Sequence, residues 1–251
     1  VEELLASRRQ RARAVLLASS LPEAVRETLS RRARAAGVPC LLLPREEIAR
    51  RVGEAQVVVA AEAGEFAYAV LEEWLDGLEE RAAAFVLDGV TDPGNFGAVL
   101  RSARAFGVAG VVTPKDRSCP VTGTVFRASA GSAAHVPVVL VTNLARALRA
   151  MKERGFWVFA ADARGETLLP RWRPAGRTAV VFGSEGRGIR RLVREGCDGS
   201  IRIPMAPGAE SLNVAVAAGI VGCALAGALT GGEAGGYKSP SPPAVQGDGP
   251  T

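Results

Sequence analysis

Three segments of this 251-residue chain bring carboxamide, carboxylate, guanidinium and hydroxyl groups to points where glycine or proline interrupts an apolar run. The first, residues 87–107, reads Leu-Asp-Gly-Val-Thr-Asp-Pro-Gly-Asn-Phe-Gly-Ala-Val-Leu-Arg-Ser-Ala-Arg-Ala-Phe-Gly. A strand entering a Pro-Gly turn and then a helix places polar groups at the carboxyl end of a strand, where open α/β sheets build their sites. Asn95 is positioned to cap that helix. Arg101, six residues later, is expected to project toward the same side. A capped helix with an exposed arginine is the competing reading.

The second segment, residues 180–189, is Val-Val-Phe-Gly-Ser-Glu-Gly-Arg-Gly-Ile. Its three glycines follow an apolar strand directly, so the backbone can approach a ligand and offer amides to polar groups. Glu185 is either a turn carboxylate or a site residue. The order G-x-x-G-x-G is not the dinucleotide-binding G-x-G-x-x-G, and Gly-Ser-Glu-Gly lacks nucleophile-elbow spacing. The third segment, residues 201–219, leaves a strand through a Pro/Gly loop and enters a helix of small residues. Ser211 is expected to be its N-cap, with Asn213 adding an amide at the positive helix end. Together these groups suit binding and orienting a polar ligand.

The remaining composition removes several chemistries. His135 is the only histidine, which excludes most metal sites and nearly all Ser/His or Cys/His catalysis; it is expected to be a packing or capping residue. Cys40, Cys119, Cys197 and Cys223 stand singly, suggesting neither a zinc framework nor a disulfide scaffold. A reducing, cytoplasmic compartment and no metal are therefore expected. The opening residues are charged with no long apolar core after them, so no secretory signal is expected. Residues 212–229 carry no formal charge, but alanine, glycine and Asn213 favour a buried helix over a membrane span.

The elements that must carry these segments are read from hydrophobic periodicity. Strands are expected near 15–18, 40–43 and 57–60, with an arginine-rich helix at 22–36 and a shorter one at 45–52, forming a compact α/β unit over 1–68. An acidic linker, 69–80, is expected next, with a helix over 72–81 left open. Over 81–230, strands near 85–87, 110–112, 136–139, 157–161, 178–182 and 199–203 alternate with helices near 95–106, 125–130, 143–154, 189–195 and 212–229. Such alternation implies a mostly parallel sheet with helices on both faces. Residues 231–251, rich in glycine, proline and serine, are expected to be a disordered tail.

Charge is distributed unevenly. Residues 1–53 hold eleven arginines against six glutamates, and 54–80 hold eight acids and no base, within a chain of net charge +5. Two basic bodies around an acidic segment favour a phosphate-rich partner, although a solvated arginine face gives the same pattern. Arg26, Arg31, Arg32 and Arg34, on the arginine-rich helix, are the first unit's candidate contacts to a phosphate backbone, with a solvated face as the alternative.

In their order and spacing, the three segments resemble the motifs of the SpoU/TrmH-type branch of the SPOUT RNA methyltransferases. Val-Thr-Pro-Lys-Asp-Arg-Ser at 112–118, Ala-Ser-Ala-Gly at 128–131, His-Val-Pro-Val at 135–138 and Val-Thr-Asn-Leu-Ala-Arg at 141–146 look like the subgroup that methylates a guanosine of bacterial 23S ribosomal RNA. Residues 1–68 resemble that subgroup's ribosomal-protein-like RNA-binding domain. The resemblance implies a deep trefoil knot, a homodimer with active sites near its interface, S-adenosylmethionine as methyl donor and a ribose 2′-hydroxyl as acceptor.

Carried onto this chain, it implies cofactor contacts at Phe182, Gly183, Ile203, Met205 and Leu212, and active-site roles for Asn95, Arg101, Glu185, Ser211 and Asn213. In the family, the counterpart of Arg101 is given a part in activating the hydroxyl. A guanidinium with a pKa above about 12 is a poor base, so Arg101 is assigned to positioning ribose and phosphate and stabilising developing charge. A transfer-RNA ribose methyltransferase and a non-catalytic RNA-binding protein are the alternatives.

Overall fold

The computed structural model describes residues 1–7 and 9–229; the expected tail at 231–251 lies outside them. The first unit is a three-stranded sheet ordered β2-β1-β3, from β1 (Ala12–Ala18), β2 (Cys40–Leu43) and β3 (Val59–Ala63). Strand β1 pairs parallel to β2 and antiparallel to β3. Alternation along β1 sends Ala14, Leu16 and Ala18 toward Ile48 of α3 (Arg45–Val52), and Val15 and Leu17 toward Ala33 of α2 (Glu23–Ala35). The third strand begins two residues later than expected, with Val57 and Val58 packing before it.

The second unit is a seven-stranded sheet ordered β6-β5-β4-β9-β7-β10-β8, with every pairing parallel. Its strands are β4 (Ala82–Asp88), β5 (Gly110–Pro114), β6 (Val138–Val141), β7 (Phe156–Ala161), β8 (Thr167–Leu168), β9 (Arg177–Gly183) and β10 (Gly199–Arg202). All seven residues of β4 are buried, as a central parallel strand covered on both faces requires. One face packs α5 (Pro93–Ala105), α6 (Gly123–Ala128) and α9 (Val214–Leu229) around Phe85, Phe96, Leu100 and Phe182. The other packs α7 (Leu144–Glu153) and α8 (Arg191–Glu195) around Leu148, Met151 and Phe156.

Residues 69–80 are not a free linker. They contain α4 (Leu71–Asp76), whose Trp74 and Leu75 are buried in the second core. The Trp74 indole donates to the Ala109 carbonyl at 3.2 Å and fills the space beside Gly110. Its acids occupy only the exposed side, so charge marks an amphipathic helix and not a spacer.

The end of the sheet is crossed by one of its own connections. Strand β10 lies between β7 and β8, although residues 162–166 join those two strands directly. That connection runs against β10: a Cβ on Gly165 would lie 2.5 Å from the Ile201 carbonyl carbon.

Candidate active site

The turn after β4 is fixed by two aspartates. Asp92 caps α5, accepting from the Asn95 amide at 2.7 Å, with Pro93 at the first helical position. The expectation that Asn95 is the cap is corrected: the aspartate preceding proline does this, which leaves the Asn95 carboxamide free for other partners. Asp88, fully buried at the end of β4, accepts from the Arg190 backbone amide at 2.8 Å and from Arg190 Nε at 2.6 Å. The far end of the glycine segment is thereby fastened to the sheet.

Between these anchors the chain makes a tight loop, in which the Gly188 amide donates to the Ser184 carbonyl at 2.9 Å. Gly183 is obligatory: a Cβ there would sit 2.2 Å from the Gly188 carbonyl carbon and 2.4 Å from the Ile189 nitrogen. Glu185, near the loop tip, meets both other segments. Asn95 Nδ2 donates to Glu185 Oε1 at 3.2 Å, and Asn213 Nδ2 donates to the same oxygen at 2.9 Å and to Asn95 Oδ1 at 2.8 Å. Glu185 is therefore more than a turn carboxylate: it links the other two segments.

Asn213 also begins α9. Its Oδ1 accepts from the amides of Ala215 at 2.9 Å and Val216 at 3.3 Å, so Asn213, not the expected Ser211, is the N-cap. Both residue types cap well, and the helix starts two residues later than periodicity suggested because Leu212 is still extended loop. One asparagine thus serves helix and site at once.

A cleft of about 790 Å³ opens beside this cluster. Phe182, Gly183, Ile203, Met205 and Leu212, the five expected cofactor residues, all line it, as do Glu185 and Ser211. Asn95 and Asn213 join through Glu185. Arg101 does not line it: it is exposed on α5, and its side chain has no hydrogen bond or ion pair among the described residues. Six residues of α-helix turn about 600°, leaving Arg101 roughly 120° from Asn95, so the expected common direction is not found.

The residues missed from sequence lie on the 162–166 connection and on α8. Asp162 pairs with Arg194 and accepts from the Arg164 amide at 2.8 Å, at the wall of the cleft. Burial acts to raise the Asp162 pKa, but the Arg164 amide and the Arg194 guanidinium more than offset it and hold the carboxyl below its ordinary value. Single charged residues far apart in sequence carry no periodic signal.

On the first unit, Arg32 pairs with Glu2, Arg31 and Arg34 are exposed, and Arg26 is half-buried with an unpartnered Nε. His135 ends the short 3-10 turn at Ser132–Ala134 and pairs with Glu3, which also meets Arg104. It joins the two units and takes no part in the cleft.

A parallel sheet with a polar cleft at the carboxyl ends of its strands defines the α/β class of ligand-binding enzymes. Within that class the chain belongs to the SpoU rRNA methylase family, whose family model matches residues 82–223. Among curated relatives, the 23S rRNA (guanosine-2′-O-)-methyltransferase RlmB of Ralstonia nicotianae is 46% identical over 191 residues, covering 75% of this chain and 76% of that one. The protein of the same name from Xanthomonas campestris is 49% identical over 150 residues, 60% of each chain. In fold, the chain is similar to the SpoU methyltransferase AviRb from Streptomyces viridochromogenes in complex with the cofactor AdoMet. Its TM-score is 0.73 at 24% identity, covering 86% of this chain and 83% of that one.

Proposed function

We propose that this chain transfers a methyl group from S-adenosylmethionine to the ribose 2′-hydroxyl of a guanosine in 23S ribosomal RNA. The observation that carries this reading is the convergence of all five expected cofactor residues on one cleft, with Glu185, held by Asn95 and Asn213, at its polar side. The lining suits a donor with an amino-acid end and a nucleoside end. Asp162, Arg164, Arg194 and Glu210 offer both charges, while Phe182, Ile203, Leu212 and Val214 offer apolar walls. S-adenosylmethionine supplies an electrophilic methyl carbon on a sulfonium.

The chain's own groups do the rest by placement. Orientation of the attacking hydroxyl supplies much of such a displacement, and the carboxamides of Asn95 and Asn213 fix the Glu185 carboxylate for that purpose. Arg101 is assigned to the ribose and its phosphate. Its position outside its own chain's cleft fits a homodimer, because α5 packs against α9, and α9 exposes Val216 and Ile220 in line with Leu212 before it. We read residues 1–68 as the RNA-binding domain, 81–230 as the catalytic domain, and the passage of β10 beneath 162–166 as part of a trefoil knot. Cytoplasmic location is inferred from the RNA substrate; no described helix is long and apolar enough to cross a membrane.

Incubation with methyl-labelled S-adenosylmethionine and separate 23S rRNA and transfer-RNA transcripts tests the substrate. Label in 23S rRNA alone is expected. Label confined to transfer RNA, or none with either, overturns the assignment.

A further inference from the structure

Arg117 is one of two residues other than glycine with positive φ among the described residues, at +60°. It stands in the loop between β5 and α6, which is tied at both ends. The Lys115 amide donates to the Val141 carbonyl at 2.8 Å, the Cys119 amide to the Val90 carbonyl at 3.1 Å, and the Ser118 hydroxyl to the Pro114 carbonyl. A side chain at positive φ costs backbone energy that glycine avoids, so the conformation alone gives no reason for arginine.

The loop lies against the active site. A Cβ on Gly89 would be 3.9 Å from the Arg117 carbonyl oxygen and 3.4 Å from Ser184 Cβ, next to Glu185 in the chain. Arg190, Arg194 and Arg191 are committed to Asp88, Asp162 and Glu195, whereas Arg164 and Arg187, on the cleft wall itself, make no side-chain hydrogen bond or ion pair among the described residues. The Arg117 side chain is exposed and has no partner among the described residues; neighbouring Asp116 forms no ion pair with it.

We infer that Arg117 is a substrate-positioning residue that binds a backbone phosphate of the RNA near the methylated nucleotide. The inference rests on the RNA-methyltransferase reading and adds to it a residue outside the cofactor cleft. A guanidinium recognises phosphate through charge-assisted, bidentate hydrogen bonds. Its tethered backbone reduces the conformational freedom lost on binding. Arg187, by contrast, sits between Gly186 and Gly188 on a loop whose two glycines face open space.

The test compares the wild type with Arg117→Gly and Arg117→Lys, using 23S rRNA transcripts in filter binding at several salt concentrations. Melting temperature, S-adenosylmethionine affinity and methyl transfer to the transcripts are measured alongside. The glycine variant should melt about 2 °C higher because the strain is relieved. It should bind RNA about tenfold more weakly, with its log–log salt slope reduced by about 0.7 to 0.9, one phosphate's share, and with unchanged cofactor affinity. The lysine variant, still charged and still strained, should keep the wild-type slope. An unchanged slope in Arg117→Gly overturns the inference, as does a matching loss of cofactor affinity, which would make loop shape the cause. A wild type that binds RNA but transfers no methyl group defeats the functional reading instead, and the slopes still decide the role of Arg117. A wild type that binds no RNA defeats both.

Discussion

Asp88 and Arg190 are separated by 102 residues, yet the buried Asp88 carboxylate takes both the backbone amide and the side-chain Nε of Arg190. The pair closes the glycine loop onto the end of β4 and so sets where Glu185 stands. Its loss should be felt in stability and in the site together. Asp88→Asn removes the charge and weakens both bonds, and should cost about 2 kcal/mol in urea unfolding. The KM for S-adenosylmethionine should rise with it. A variant as stable as wild type would show that the loop is held by other contacts.

Asn213 and Ser211 should separate cleanly. Asn213→Ala removes the α9 cap, worth about 1 kcal/mol, and also one of the two carboxamides on Glu185. Methyl transfer should fall by about two orders of magnitude, more than the stability loss explains. Ser211→Ala should leave stability within about 0.5 kcal/mol of wild type because Ser211 makes no capping hydrogen bond among the described residues. Equal destabilisation by the two changes would restore Ser211 as a cap.

Acid should weaken the wall of the cleft. The folded Asp162 carboxyl lies below its ordinary value of 3.8. Its contribution to stability is therefore present above that value and is lost as pH falls through the lower folded value. Thermal melts between about pH 5 and 2 should show a steeper acid decline for the wild type than for Asp162→Asn. Parallel curves would remove Asp162 from the acid transition.

The exposed stripe on α9 gives a prediction for assembly. Val216→Asp with Ile220→Glu should convert the proposed dimer to a monomer in sedimentation, with little effect on the fold of each chain, because both side chains are already exposed. A wild type that sediments as a monomer contradicts the dimer.

Element types were legible in the sequence because long apolar runs and their period survive tertiary context. Strands 82–88, 156–161 and 177–183 and helices 93–105 and 144–153 fall within a few residues of their expected places. Helix starts were less legible. Asp92 and Asn95, and likewise Ser211 and Asn213, are residues of similar capping power two or three positions apart, and only tertiary partners decide between them. The five residues to which family resemblance pointed for the cofactor all line one cleft. The resemblance did not identify Asp88, Asp162, Arg190 or Arg194, because an ion pair between distant segments leaves no local pattern. Arg101 shows the opposite limit. Its motif was plain in sequence, but a step of about 100° per residue carries it away from Asn95 on the same chain.

Methyl transfer to a ribose is decided by the chemical identity of the product. 23S rRNA methylated by the purified chain is digested to nucleosides and analysed by mass spectrometry. 2′-O-methylguanosine is the expected product, with Glu185→Gln giving much less of it. A methyl group on a base, or a modified nucleoside other than guanosine, would contradict the proposed reaction.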